Sequence, residues 1–214
     1  MSDAAAVRRP GRPAGHTGDE TRARILRAAL ESFAERGLAG SSVRDIAKAA
    51  SIRVSTLYPY FSSKDALYRE VQEGVHQELG EIAVAEMGRG LGLADLTRAI
   101  VGRTFDYFLE NRACLQLWCR AAVEPSLTDH DSSDRRRHWL AFIEGTLGPA
   151  RERGDVKEVD PVQLMITVDA LVHWHVVSES VYRELLGRDF GDADLVARTR
   201  EHVISVALRS LGLA

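Results

Sequence analysis

The sequence has few of the features that mark a disulfide scaffold, a zinc site or a membrane protein. Its 214 residues include only two cysteines, Cys114 and Cys119, and cysteines five apart in an apolar stretch match neither a disulfide framework nor a zinc-binding spacing. No uncharged apolar run approaches the roughly 18–20 residues that a transmembrane helix needs. Residues 1–15 contain arginines without the apolar stretch of a secretory signal. We therefore expect a cytoplasmic protein that has no membrane span.

Signs of catalysis and of metal binding are also missing. There is no glycine-rich phosphate loop, no nucleophile–base–acid set at a suggestive spacing, and no carboxylate pair in an apolar setting. His173 and His175 are close in sequence, but residues two apart on a helix point about 200° away from each other, so the two cannot bind one ion. His130 lies between Asp129 and Asp131 in a polar loop and is interpreted as solvated surface. We expect neither an enzyme nor a metal or other cofactor.

Charge is distributed unevenly along the chain. The formal net charge is −3, yet residues 1–64 hold 11 Lys and Arg against 6 Asp and Glu, while the remaining residues hold 17 against 25. A basic N-terminal part on an acidic body suggests that one end meets a polyanion. Small domains often carry a few extra charges of one sign, so charge alone favours a nucleic acid only mildly.

From residue 19 onward the apolar residues recur at helical spacing, with no alternating run typical of a strand and no internal repeat. The sequence therefore predicts an all-α fold. It is divided into a flexible basic arm over residues 1–18, an N-terminal three-helix domain over 19–66 and a helical body over 67–214. The glycine-rich stretch 87–93 breaks the pattern inside the body. Further helices are predicted at about 94–110, 112–123, 133–153, 160–186 and 192–212.

The first of the predicted domains has the organisation of a helix-turn-helix motif. One helical pattern ends at Gly37, Ser42 caps a second helix, and about four residues of turn separate that helix from the short segment VSTLYPYF. In such a motif the second helix of the pair lies in the DNA major groove and the first crosses the backbone. Ala47, Ile52 and Leu57 are expected to hold the two helices at their crossing angle. The outer face is then left to Arg53, Val54, Ser55, Thr56, Tyr58 and Tyr60, a mixture suited to phosphates and base edges.

A longer pattern over residues 24–70 makes this interpretation specific. Its matches in order are Ile25-Leu26, Ala28-Ala29, Phe33, Gly37, Ser42-Val43, Asp45-Ile46-Ala47, Thr56-Leu57-Tyr58, Phe61 and Lys64-Asp65-Ala66-Leu67. The pattern resembles the N-terminal domain of the TetR family of transcriptional regulators. So many ordered matches are far more specific than one short motif. The rest of the chain matches that family only in general plan.

The resemblance implies a DNA-binding transcriptional regulator, most often a repressor, whose homodimer binds a palindromic operator and is released by a small-molecule ligand. A regulator of the same fold without a small-molecule effector is the alternative. A helical enzyme or sequestering protein would need a catalytic set, which is not visible. The implied phosphate contacts are Ser42, Arg44, Tyr58, Tyr60 and Lys64, and the implied base contacts are Arg53, Val54, Ser55 and Thr56.

Three residues depart from the family pattern. Ser51 replaces the usual glycine of the turn, so either a residue other than glycine takes a positive φ or the turn is built differently. Arg53 stands where a Ser or Thr cap is common, which weakens the cap and leaves the arginine for DNA. Pro59 falls within the predicted recognition helix, where proline costs about 3 kcal/mol. We expect that helix to be short or kinked near Tyr58.

The N-terminal arm contains a second candidate DNA element. Its sequence from Arg8 to Pro13, RRPGRP, resembles the Gly-Arg-Pro core of minor-groove binding hooks. An extended arginine pair such as Arg9 and Arg12 can enter the narrow minor groove of A·T-rich DNA. A disordered solubilising tail is an equally good interpretation.

The helical body is expected to bind a ligand and a second copy of the chain. Aromatic residues spread over several helices are mostly plain core, yet they are also where a small apolar or aromatic ligand would lie. The last two predicted helices carry apolar residues on more than one face, which favours homodimerisation through them over burial within one chain. The family's four-helix dimer bundle agrees with this. The ligand-binding candidates are Phe105, Trp118, Cys119, Trp139, His173 and Trp174.

Overall fold

The computed structural model describes residues 18–123 and 130–213, and within these residues it contains ten α-helices and no strand. The all-α prediction is therefore confirmed. The predicted arm, with Arg9 and Arg12, lies outside the described residues apart from Gly18. The helices are α1 (Gly18–Gly40), α2 (Val43–Ala49), α3 (Val54–Leu57), α4 (Lys64–Met87), α5 (Leu93–Glu110), α6 (Arg112–Val123), α7 (His130–Glu152), α8 (Pro161–Val177), α9 (Glu179–Leu186) and α10 (Ala193–Leu211).

Helices α1 to α3 and the start of α4 form the N-terminal domain around one apolar core. Ile25, Phe33, Ile46 and Leu57 are completely buried in it. The Phe33 ring meets Tyr68 of α4 edge-on, with ring centroids 4.9 Å apart. This core holds α2 and α3 at a fixed angle, because Leu57 is the inward side chain of the short helix α3.

Helix α1 is kinked near its end by a glycine in a conformation that other residues avoid. Gly37 has φ 69° and ψ 179°, which breaks the helical geometry there, as its position in the sequence predicts. The buried hydroxyl of Ser41 then donates to the Gly37 carbonyl oxygen at 2.8 Å and lies 2.9 Å from the hydroxyl of Ser32. The connection to α2 is thus fixed by hydrogen bonds on the inside of the domain.

Helix α4 joins the N-terminal domain to the body and ends at a buried carboxylate. Glu86 is almost fully buried, and Arg89 and Arg103 both donate to it, at 2.6 and 2.8 Å. The hydrogen bond from Arg89 holds the pKa of Glu86 below its ordinary value against the effect of burial, and Arg103 lowers it further. Because Arg103 belongs to α5, this cluster fastens the last turn of α4 to the next helix across the glycine-rich break.

The body packs around α5, α8 and α10. Phe105 and Phe108 of α5, Val176 of α8 and Val203 of α10 are fully buried between these helices. Helix α5 approaches α10 closely at Gly102, where an added Cβ would lie 2.4 Å from the guanidinium of Arg200. Glycine at this position leaves room for a charged side chain to cross the interface.

Two predictions about the last helices are corrected by the structure. The predicted helix 160–186 is two helices, α8 and α9, separated at Ser178, whose amide donates to the Trp174 carbonyl at 2.9 Å. The apolar residues of α10 do not form a second exposed face, because Leu195, Val203, Ile204, Leu208 and Leu211 are buried within the monomer.

Among the last three helices, the large exposed apolar residues lie instead on α8 and α9. Trp174 is 70% exposed, and the others are between 39% and 73% exposed. They follow one another at helical spacing within each of the two helices. We call this surface the α8–α9 apolar face, and its residues are Val162, Ile166, Trp174, Val177, Val181 and Leu185.

Candidate nucleic-acid interface and ligand cavity

Three cationic side chains surround an open groove between α2 and α3. Arg44 and Lys48 of α2 and Arg53 before α3 all line this groove and are exposed to solvent. Lys48 was not among the predicted site residues. It lies four residues after Arg44 and therefore on the same side of α2, which is the signal that identifies it. Asp45 also lines the groove, so the three cations and one carboxylate give this surface of two short helices a net positive charge.

Helix α3 is a single turn whose outer side is polar. Ser55 and Thr56 are exposed, Val54 is half-buried, and Tyr58 directly after the helix is 52% exposed. Arg53 takes the N-cap position, but its side chain forms no capping hydrogen bond with the helix. Hydroxyl groups, a methyl-bearing side chain and an arginine are thus gathered on one small surface.

The structure decides between the two alternatives for Ser51 and confirms the early end of the recognition helix. Ser51 has φ 55° and, within the described residues, is the only residue other than glycine with positive φ. Helix α3 ends at Leu57, two residues before Pro59, as a proline inside the predicted helix requires. The motif therefore keeps a tight turn at the expense of backbone strain at Ser51.

The hydroxyl of Ser42 is engaged by its own helix. It accepts a hydrogen bond from the amide of Asp45 at 3.1 Å, which confirms the predicted cap, and donates to the Asp45 carboxylate at 2.7 Å. Tyr60 is half-buried against the core, with its hydroxyl near Gly18 at the start of α1. The side chains of Ser42 and Tyr60 are therefore less available than that of Tyr58 for the predicted phosphate contacts.

Lys64, a predicted phosphate contact, forms hydrogen bonds within the protein that the sequence did not predict. Its ammonium group donates to the carbonyl oxygens of Leu38 and Ser41, at 2.6 and 3.0 Å. These acceptors precede Lys64 by 26 and 23 residues, so local sequence does not reveal them. Lys64 joins the start of α4 to the connection between α1 and α2.

A cavity of about 370 Å³ lies within the body, lined mainly by apolar side chains. Of the six predicted ligand-binding residues, Trp118, Trp139 and His173 line it. The structure corrects the prediction for the other three, which do not line the cavity. Phe105 is buried in the core beside it, Cys119 lies one residue past Trp118, and Trp174 lies one residue past His173 and is exposed. One residue rotates a helical side chain by about 100°, which removes it from the cavity.

One wall of the cavity is polar. The indole Nε1 of Trp118 donates to Asp169 at 3.2 Å, and Nδ1 of His173 lies 3.2 Å from the same carboxylate. The rings of Phe108 and His173 meet edge-on with centroids 4.6 Å apart. Sequence reasoning missed Asp169, although its position four residues before His173 on α8 places the two side chains on one face.

His175 lies on another side of α8, as the predicted angle between residues two apart requires. Its Nδ1 is 2.5 Å from the hydroxyl of Tyr182 on α9, and its ring packs against His202 of α10. Burial lowers the pKa of His175, and the neighbouring His202 lowers it further. His175 therefore belongs to the packing of the last three helices and not to the cavity.

Helix α6 connects the cavity to the N-terminal domain. It carries Trp118 on the cavity wall, and two residues later Arg120 reaches α1. The Arg120 guanidinium donates to the carbonyl oxygens of Ala34 and Glu35, each at 2.8 Å. Arg120 therefore joins the helix that lines the cavity to the part of α1 that precedes Gly37.

Comparison with known proteins agrees with these features. Residues 25–71 match the family model described as bacterial regulatory proteins of the tetR family, and residues 95–206 match that of a tetracyclin repressor-like C-terminal domain. The chain is 25% identical over 201 residues to the HTH-type transcriptional repressor NicS of Pseudomonas putida, which covers 90% of this chain and 93% of that protein.

Solved structures share the same fold. A TetR family transcription regulator from Marinobacter aquaeolei superposes with a TM-score of 0.73 at 21% identity, over 90% of this chain and 96% of that one. The fatty acid degradation regulator FadR from Bacillus halodurans gives 0.67 at 17% identity, over 89% and 97% of the two chains. Within the described residues, the helices are too short or too polar to cross a membrane.

A helix-turn-helix domain followed by a helical body with an internal cavity defines a DNA-binding transcriptional regulator. The chain belongs to the TetR family, whose members bind DNA as dimers.

Proposed function

We propose that this protein is a cytoplasmic repressor whose homodimer binds a palindromic operator and is released when a small molecule enters the cavity of the body. The observation that supports the proposal most directly is the Arg120 bridge. It links the helix that lines the cavity to the domain that carries the cationic groove.

The proposed DNA-binding surface is the outer side of α3 and the groove beside it. Arg44 and Lys48 would contact phosphates from α2, which crosses the backbone. Tyr58 would add a phosphate contact, with Tyr60 behind it, and Ser42 would have to release Asp45 before its hydroxyl could donate to DNA. Lys64 stays a predicted phosphate contact, which its ammonium would make with the N–H group that is left after the two hydrogen bonds to protein carbonyls. The minor-groove contact of Arg9 and Arg12 stays a prediction. The proposed base contacts are Arg53, Val54, Ser55 and Thr56.

The proposed dimer is formed by the α8–α9 apolar face. A surface of this kind is unfavourable in water and favourable against a second copy of itself. Such a two-fold contact is self-complementary and places two identical DNA-binding domains about a two-fold axis. Two recognition helices about one turn of DNA apart then match the two halves of a palindrome.

Release requires that the ligand favour one arrangement of the dimer over the other. A ligand that bound both arrangements equally would shift nothing. Helix α6 offers a path for this preference, because Trp118 faces the cavity and Arg120 contacts α1. A ligand that displaces α6 would move α1, and with it the packing of α2 and α3.

The test is selection of the sequences that the purified full-length chain retains from random DNA. We expect a palindrome whose half-site centres are about 10 base pairs apart. Recovery of random sequences would overturn the proposal of a specific operator.

The salt dependence of binding to the selected site tests the groove. Arg44→Ala should weaken binding and reduce the slope of log K against log salt concentration by about one. Arg98→Ala is the matched control, because Arg98 lies on the body and is exposed. An unchanged slope in Arg44→Ala would remove Arg44 from the interface.

A further inference from the structure

Arg136 and Asp169 both line the cavity, and its polar wall also contains a buried nitrogen atom without a hydrogen-bond partner. The ring of His173 lines the cavity and is only 7% exposed. Its Nδ1 faces the carboxylate of Asp169 at 3.2 Å, whereas its Nε2 has no hydrogen-bond partner within residues 18–123 and 130–213. A buried polar atom without a partner is unfavourable. Nε2 is itself covered, although its ring lines the cavity, so a bound molecule reaches it where a neighbouring side chain moves aside and then satisfies a buried polar atom.

The partners of Asp169 determine which hydrogen bond Nε2 can make. The carboxylate accepts from Trp118 Nε1 at 3.2 Å and faces Nδ1 of His173 at the same distance. A carboxylate accepts hydrogen bonds, so in a neutral imidazole beside it the single N–H is the one at Nδ1. Nε2 then carries a lone pair and accepts. The molecule that satisfies it must donate, through a hydroxyl or an N–H group.

The surroundings of Nε2 favour an aromatic molecule. The ring of Phe108 lies 4.6 Å from the His173 ring, that of Trp118 lies 5.6 Å from it, and Trp139 also lines the cavity. Aromatic rings pack favourably against one another at such distances. A volume of about 370 Å³ is near the lower end of the range for ligand sites and suits a compact ring system.

We propose that the cavity binds a small aromatic alcohol of the phenol type, whose hydroxyl donates a hydrogen bond to Nε2 of His173. The proposal rests on the ligand-binding function proposed above and specifies its chemistry. Asp169, which also lines the cavity, acts as a positioning residue because it fixes the tautomer of His173. Trp118 holds Asp169 in place from the opposite helix, α6.

The test compares three probes with the same rings, namely 2-naphthol, naphthalene and 2-naphthoate, by calorimetric titration into the full-length protein. We expect 2-naphthol to bind about tenfold or more tightly than naphthalene, the difference that one satisfied polar group can produce. His173→Phe should abolish this preference and leave the affinity for naphthalene largely intact. Retained naphthalene binding also shows that the variant is folded.

Two further variants separate positioning from packing. Asp169→Asn should reduce the preference for 2-naphthol over naphthalene, because the tautomer is no longer fixed, with little change in naphthalene binding. His175→Phe, two residues along the same helix but outside the cavity, should leave the preference unchanged. A preference that survives in His173→Phe would overturn the proposal.

Two other results of the titrations would also overturn the proposal. If 2-naphthoate binds best and His173→Phe abolishes that binding, Nε2 donates and the ligand class is an acid, which overturns the proposal. If none of the three probes binds, the proposal is equally wrong. Operator binding by the same preparation measures the DNA-binding function separately, so failure of the ligand chemistry and failure of the regulator function are distinguishable.

Discussion

Nε of Arg120 on α6 donates a hydrogen bond of 2.8 Å to the carbonyl oxygen of Ala34 on α1. A second bond of the same length joins the guanidinium to the Glu35 carbonyl. Both acceptors lie in the last turn before Gly37, where helix carbonyls lose their own amide donors. An arginine of the helical body thus caps the part of the first helix that precedes Gly37.

Removing this cap should destabilise the protein measurably. We expect Arg120→Ala to lower the free energy of unfolding in urea by about 2 kcal/mol, since hydrogen bonds to a charged group contribute roughly 1.5–3 kcal/mol. Arg98→Ala, which breaks an exposed pair with Glu201, should cost no more than about 0.5–1 kcal/mol. Equal losses in the two variants would contradict the capping role of Arg120.

A charge on the α8–α9 apolar face should separate the proposed dimer. Val177→Glu buries an unpaired carboxylate in that interface, so sedimentation should shift from dimer to monomer at micromolar concentration. Val84→Glu is the control, because Val84 is an exposed valine on α4, away from this face. The interface proposal would be wrong if Val177→Glu remained as dimeric as Val84→Glu.

Relief of backbone strain at the turn should stabilise the N-terminal domain. Ser51 has φ 55°, a region that costs residues other than glycine roughly 1–2 kcal/mol. Ser51→Gly removes this strain, but glycine loses more conformational entropy on folding than serine does. The net result should be a rise of about 0.5–1 kcal/mol in the free energy of unfolding. Ser51→Ala retains a Cβ and should change it by less than about 0.5 kcal/mol. Equal effects of glycine and alanine would show that strain is not the cause.

The buried carboxylate of Glu86 should make stability depend on pH in the acid range. Because the pKa of Glu86 is lowered from its ordinary value of 4.5, its contribution is fully present above pH 4.5 and is lost as the pH falls below it. Glu86→Gln cannot make this contribution, so its Tm should be lower than that of the wild type at pH 7. The difference in Tm between the wild type and Glu86→Gln should become smaller as the pH falls below 4.5.

The control for this measurement of Tm against pH is a variant of an exposed carboxylate. Glu201→Gln changes an exposed carboxylate and should alter Tm little at pH 7. A gap between wild type and Glu86→Gln that stays constant, or widens, on acidification would contradict the assignment to the Arg89 and Arg103 cluster.

Backbone features of the recognition motif could be predicted from the sequence because they depend on neighbouring residues. Ser51 at a glycine position indicated positive φ, and Pro59 indicated an early helix end. Lys64 could not be assigned in this way, since its acceptors on the segment after Gly37 come close only through tertiary packing.

The lining of the cavity was predictable only in part for a related reason. Periodicity shows that α6 and α8 carry aromatic residues, but it does not fix which side of each helix faces the cavity. A rotation of one residue therefore separates His173 from Trp174, and Trp118 from Cys119. The pairing of Asp169 with His173 follows from local spacing and was available in the sequence.

The shortness of α3 limits how much of an operator each subunit can distinguish. Four helical residues span about 6 Å, and base pairs along one strand are about 3.4 Å apart, so the helix itself faces about two base pairs. Short sequences of this kind recur by chance throughout a genome. Specific binding by the proposed dimer then depends less on the bases in each half-site than on the distance between the two half-sites. A ligand that changed the distance between the two recognition helices of the dimer would therefore abolish the match to the operator.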